Sequence, residues 1–117
     1  GAELLTQGQP GSGLCVLLRG RCSATHTAPS GNTLEATPLR EGDVFGEISL
    51  LFDTPCTATV RADTAVEVLE LPRDAFNELV LPHPSVRKQL SELATERLVR
   101  TRAMLNAAGE WVSNSLV

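Results

Sequence analysis

No stretch of about 18 consecutive apolar residues occurs in the chain, so it offers no transmembrane helix. The opening Gly1-Ala2-Glu3 has neither a charged leader nor an apolar core, which argues against a signal peptide. It also lacks an initiating Met, which points to a piece cut from a longer protein. Basic residues are in deficit: Lys and Arg number 10 against 14 Asp and Glu, a net charge of −4. General nucleic-acid binding, which rests on phosphate neutralisation, is therefore disfavoured, and attraction to an anionic membrane surface is disfavoured on the same ground. Cys15, Cys22 and Cys56 form no CxxC pair, and His26 and His83 stand far apart. Neither a metal site nor a disulfide framework is expected, and free thiols in a reducing cytosol are the plain reading.

Catalytic sets are missing too. There is no Ser-His-Asp arrangement and no convincing carboxylate pair; Asp43 and Glu47 lie close in sequence, but no nucleophile or base accompanies them. The expectation is a non-catalytic domain. With 117 residues, 42% apolar and 21% charged, the chain has the make-up of one globular domain with one core.

The first two-thirds read as short strands divided by turn signals. Leu14 to Leu18 is a compact apolar run between Gly13 and Gly20, and Arg21 to His26 alternates weakly. Pro29-Ser30-Gly31-Asn32 marks a loop, and extended character resumes from Thr33 to Leu39, where Pro38 indicates an edge strand or bulge. Ala58 to Ala62 alternates, and Val66 to Leu71 closes the β-rich part at Pro72. The period then changes. Pro72 to Leu79 reads as a short helix, and His83-Pro84 opens a longer one with Pro at its first position. Leu90, Ala94, Leu98, Thr101 and Leu105 make one stripe; Lys88 with Glu92 and Glu96 with Arg100 are spaced as surface pairs; Gly109 is a stop. The plan is a mainly β domain, an antiparallel β-roll, followed by C-terminal helices. It divides into a roll with short helix over 1–81, holding a cassette at 42–62, a lid helix over 82–109, and a tail over 110–117 without a clear period.

The informative segment runs from Glu41 to Val60. Read physically it is strand end, glycine, short helix, tight turn, strand. Glycine allows close backbone approach, and free N–H groups near Gly46, Glu47 and Ile48 suit an anion. The Glu47 carboxylate beside them could accept a hydrogen bond from a sugar hydroxyl, so phosphate plus ribose is a coherent target. The plainer alternative is that Gly46-Glu47 merely opens a surface helix with Glu47 favouring its dipole.

Gly42-Asp43, Phe45-Gly46-Glu47, Thr54-Pro55 and Ala58-Thr59-Val60, with Leu17-Leu18-Arg19-Gly20 upstream, resemble the cyclic-nucleotide-binding domain family over nearly the whole chain. The resemblance implies cAMP or cGMP as ligand, without a metal. Backbone amides would come from Gly46, Glu47 and Ile48, with the Glu47 side chain on the ribose 2′-hydroxyl. Ser49 falls in the cassette's small-residue position, and Thr57 stands where some members place a hydroxyl near the phosphate or a guanine edge. Phe45, Leu50 and Val60 read as core more than contact, although Phe45 directly flanks the site. Arg97 and Arg100 match positions that face the purine from the lid helix; their alternative is a solvated face, Arg100 pairing with Glu96.

One departure stands out. Where the family pattern places an arginine for the cyclic phosphate, this chain has Cys56. Losing a buried charge pair costs on the order of 2–5 kcal/mol, roughly thirty-fold to several thousand-fold in affinity. Arg61 is no evident substitute, being about 16 Å further along an extended strand and of opposite side-chain parity. Two functions follow: a cytoplasmic regulatory module that binds a cyclic nucleotide and signals through its C-terminal helix to a fused or bound partner, or the same fold retained as a protein-interaction or dimerisation module, with a homodimer through that helix as one form.

Overall fold

A computed structural model of the chain describes residues 1–109. Seven strands are formed: β1 Glu3–Leu5, β2 Gly13–Arg19, β3 Cys22–Thr25, β4 Thr37–Leu39, β5 Val44–Phe45, β6 Thr59–Ala62 and β7 Glu67–Pro72. Three helices accompany them, α1 Glu47–Phe52, α2 Arg73–Leu79 and α3 Pro84–Ala107. One sheet runs β1-β6-β3-β4 and the other β5-β2-β7, with every pairing antiparallel. This is the expected β-roll with C-terminal helices.

Strand alternation builds the core. On β2, Cys15 and Leu17 point inward and are buried, whereas Leu18 is 48% exposed. They meet Cys22 of β3, Leu39 of β4, Phe45 of β5 and Val60 of β6, so the core lies between the two sheets. The cysteines are free and buried, serving here as small apolar side chains. Burial pushes the Cys15 thiol up to about 11, which keeps it protonated at neutral pH.

Pro38 sits on β4, the outer strand of its sheet, where its missing N–H costs no ladder bond. Regular pairing starts only at Thr37, not at Thr33 as the sequence pattern implies. Residues 27–33 instead close into a small loop, with Ala28 N–H donating to the Asn32 carbonyl (2.7 Å) and Leu34 N–H to the His26 carbonyl (2.9 Å). Apolar burial is the reason: Ala28 and Leu34 leave the sheet and pack with Leu105 and Met104 of α3 as a second, smaller core. Strand β1 has no counterpart in the sequence reading; three residues are too few for a period to show.

Helix α3 begins at Pro84 after His83 and gives way to left-handed Gly109 (φ 77), in line with the start and stop signals. Its inward face needs a correction. Ala94 and Leu105 are buried and Leu90 and Thr101 half-buried, but Leu98 is 38% exposed. Steps of four residues overshoot a helical turn by about 40° each, so Leu90-Ala94-Leu98 drifts off the face. Arg97 takes the inward place. Neither Lys88–Glu92 nor Glu96–Arg100 is among the ion pairs of the described residues. The tail from residue 110 lies outside the described residues. Among those described, no helix is long and apolar enough to cross a membrane.

Leu17 is fully buried between the sheets. Leu17→Ala is expected to lower stability by about 2–5 kcal/mol, the range for emptying a well-packed leucine site; urea unfolding followed by circular dichroism checks it.

Candidate functional site

The site starts from a backbone constraint. Gly46 adopts φ 89, and a Cβ there would lie 2.6 Å from the Gly13 carbonyl oxygen of β2. Only glycine fits both conditions, and it turns the chain from β5 directly into α1. The turn directs the next side chain, Glu47, inward, where it is 1% exposed.

A carboxylate this deep needs a partner. Arg97 supplies it from α3: one guanidinium nitrogen, Nη1, donates to both Glu47 oxygens, to Oε2 at 2.9 Å. Burial pushes the Glu47 carboxyl up, opposed by the Arg97 charge, by its hydrogen bonds and by Glu47's own backbone N–H. No buried side-chain polar atom among the described residues is left without a partner. Arg97 is therefore not part of a solvated face. It joins the two helices that pack at this point, α1 and α3.

Beside the pair lies a cavity of about 110 Å³. Phe45, Gly46, Glu47, Ile48, Ser49, Cys56, Thr57, Arg97 and Arg100, the residues singled out from the sequence, all line it. Their surroundings differ. Phe45 and Val60 belong to the core and also face the cavity, while Leu50 is buried away from it. The Ser49 hydroxyl donates to the Thr54 carbonyl (2.6 Å) and accepts from Gly11 N–H (3.2 Å), so it closes the α1–β6 turn. Cys56 is 6% exposed; burial raises its thiol, partly offset by a hydrogen bond with Ser49. Arg100 stands at an exposed edge of the lining.

The sequence reading missed part of the wall: Leu5 of β1, Ala24 of β3, Thr37 and Leu39 of β4, Ala58, and Thr101 and Met104 of α3. Thr101 and Met104 follow Arg97 by four and seven residues, so the face that carries Arg97 carries them too. Leu5 left no signal, because its strand is so short.

Of the other arginines, Arg61 pairs with Glu3 (3.1 Å) on the outer face. Arg40 is exposed, with its backbone N–H on Asp43. Arg73 donates to the Gly11 carbonyl (3.2 Å) and meets Asp53 at 3.5 Å, and it lies outside the cavity lining. No group of three metal-ligating side chains occurs among the described residues.

Two antiparallel sheets whose cassette helix and terminal helix wall one cavity make this a ligand-binding type of β-roll. The chain belongs to the cyclic nucleotide-binding domain family, whose model matches residues 1–83. It is 29% identical over 101 residues to a CRP-like cAMP-activated global transcriptional regulator of Mycobacterium tuberculosis, covering 86% of this chain and 45% of that protein. A cAMP-dependent protein kinase regulatory subunit of Yarrowia lipolytica is 38% identical over 82 residues, covering 70% and 21% respectively. Among solved structures, the regulatory domain of Toxoplasma gondii PKA with cAMP superposes with a TM-score of 0.74 at 32% identity, over 82% of this chain and 36% of that one. The chain thus spans less than half the length of each of these relatives. All of α3, with Arg97 and Arg100, lies beyond the segment that the family model matches.

The ion pair makes a measurable prediction. Arg97→Ala leaves a buried carboxylate uncompensated and should cost about 1–3 kcal/mol at pH 7, less than a fully buried pair because the Arg97 side chain is 24% exposed. A carboxyl raised by burial favours folding most below its unfolded value, and that contribution is lost as pH rises through the folded value. Without Arg97 the rise is larger, so the deficit should shrink between pH 7 and pH 5. Urea titrations of Arg97→Ala, Glu47→Gln and the double variant test this; additive effects and a pH-independent deficit would show the pair uncoupled.

Proposed function

We propose that this domain is a regulatory cyclic-nucleotide sensor, in which cAMP or cGMP binds between the cassette at 42–62 and α3, and displacement of α3 acts on a fused or bound partner. The observation that carries this reading is the Glu47–Arg97 contact beside the cavity. It makes the expected ribose acceptor and the expected lid residue partners of one another. A ribose hydroxyl on Glu47 competes with Arg97, so ligand and helix position are linked through one carboxylate.

Cavity size supports the same view. About 110 Å³ is below the roughly 300–1,000 Å³ usual for small-molecule sites. The strands that wall the cavity are held by sheet ladders, on both sides at β3 and β6 and on one side at β1, β4 and β5, whereas α3 is attached by the ion pair, side-chain packing and its N-terminal connection. The helix is the wall that gives way. In this division the roll over 1–81 is the fixed part and the helix over 82–109 the moving part.

The phosphate end sets the affinity. Cys56 presents a protonated thiol where a guanidinium would bind phosphate in two places; Arg61 and Arg73 are paired elsewhere, and Arg40 is exposed and does not line the cavity. This favours weak cyclic-nucleotide binding, and it is also what favours the second reading, a roll kept for protein contacts. The exposed apolar Leu98 and Val99 on α3 suit a homodimer in that case. On either reading the domain works in the cytoplasm, as part of a longer regulatory protein.

Calorimetry and thermal shift with cAMP, cGMP and adenosine separate the two. Cys56→Arg should strengthen cAMP binding by at least roughly thirty-fold and leave adenosine nearly unchanged, because only the former carries the phosphate. If neither the parent nor Cys56→Arg is stabilised by millimolar cyclic nucleotide, the sensor reading fails and the interaction reading stands.

A further inference from the structure

The β3–β6 ladder ends where Thr25 pairs with Thr59. Two residues before Thr59, the Thr57 carbonyl lies beyond the last strand pair, and a side chain takes over: His26 Nδ1 lies 2.6 Å from the Thr57 oxygen. A carbonyl can only accept, so Nδ1 carries the proton and donates it. The ring's own backbone is fixed, because the His26 carbonyl accepts from Leu34 N–H, and Leu34 is buried in the small core with Ala28 and Leu105.

A trans peptide is planar, with its C=O and N–H on opposite sides. No cis peptide occurs among the described residues. Holding the Thr57 carbonyl toward His26 therefore turns the Ala58 N–H the other way. Thr57 and Ala58 line the cavity and His26 does not, so the ring stands outside the lining and the Ala58 N–H points away from it.

We propose that His26 is a positioning residue: it orients the Thr57–Ala58 peptide so that the Ala58 N–H is presented to an oxygen of the bound ligand. This rests on the sensor reading above and adds a donor to it. With a thiol at Cys56 in place of a cation, a backbone N–H fixed in direction carries a larger share of polar recognition. A neutral donor of this kind serves a phosphate oxygen or a sugar hydroxyl.

The test uses two substitutions of opposite content. In His26→Asn the side-chain Nδ2 is bonded to Cγ just as Nδ1 is in histidine, so the donor stays in place. His26→Leu keeps similar bulk and has no donor. Affinity for cAMP is measured by calorimetry in the natural chain and in the Cys56→Arg background, with urea unfolding as a check on folding. His26→Leu should weaken binding roughly three- to tenfold, the worth of one hydrogen bond, and His26→Asn should stay within about twofold. In parallel, the Ala58 amide is followed by 1H–15N resonance position and hydrogen exchange without ligand. It should move in His26→Leu and return in His26→Asn. Equal losses in both variants, or unchanged binding in His26→Leu, overturn the proposal, as does an Ala58 amide indifferent to position 26. Failure of every cyclic nucleotide to bind either background sinks the sensor reading, and with it the ligand role of the Ala58 N–H, whereas the amide signal reports separately on whether the ring orients the peptide.

Discussion

Burying a carboxylate is among the more costly things a small domain can do, and at Glu47 that cost is met from fifty residues away by Arg97. Much of the local architecture answers to this contact. Gly46, the residue that a side chain would drive into the Gly13 carbonyl, turns Glu47 inward. Helix α3 lies across α1 with Arg97 on its inner face and Leu98 left outside. A hydrophobic stripe alone would have rotated the helix differently. A charge pair outranks a leucine here because an unpaired buried carboxylate costs more than a partly exposed aliphatic side chain.

Around that contact the cavity is lined by unlike groups. Its lining includes Glu47, Arg97 and Thr101, and also Cys56, Thr57, Ala58 and core side chains such as Phe45. The cassette glycines and the Glu47 position follow the family pattern closely, yet the residue that would complement an anion does not, and no other arginine of the roll has moved in to replace it. In the proposed sensor, the groups for a sugar and for a phosphate would therefore be separable, the first retained and the second largely lost.

Much of this was legible in the sequence because several local signals agreed. The apolar strand run at Leu14 to Leu18, the Gly46-Glu47 turn, Pro84 at a helix start and Gly109 at its end are each dictated within a few residues, and each appears as read. The residues expected at the site converge on one cavity for the same reason: most of them sit on one continuous segment. What stayed hidden depends on distant neighbours. The Glu47–Arg97 pair spans two elements, and no local pattern announces it. The loop at 27–33 leaves the sheet because Ala28 and Leu34 find α3, and β1 exists only because β6 is there to pair with it. His26 looked like an isolated histidine for the same reason, since its partner carbonyl belongs to residue 57.

Met104 lines the cavity beside the Glu47–Arg97 pair and also a second hollow formed by Asn32 to Glu35 with the end of α3. It therefore stands where the cassette and the small Ala28–Leu34–Leu105 core meet. A helix of 24 residues is about 36 Å long, so a tilt of roughly 10° about its Pro84 end carries its far end some 6 Å, while the region of Arg97 moves about half as far. Such a swing would prise Leu105 from Leu34 before it displaced much at the hinge. If α3 moves as proposed, the small core would act as a detent, a shallow resistance that makes the motion of the lever abrupt instead of gradual.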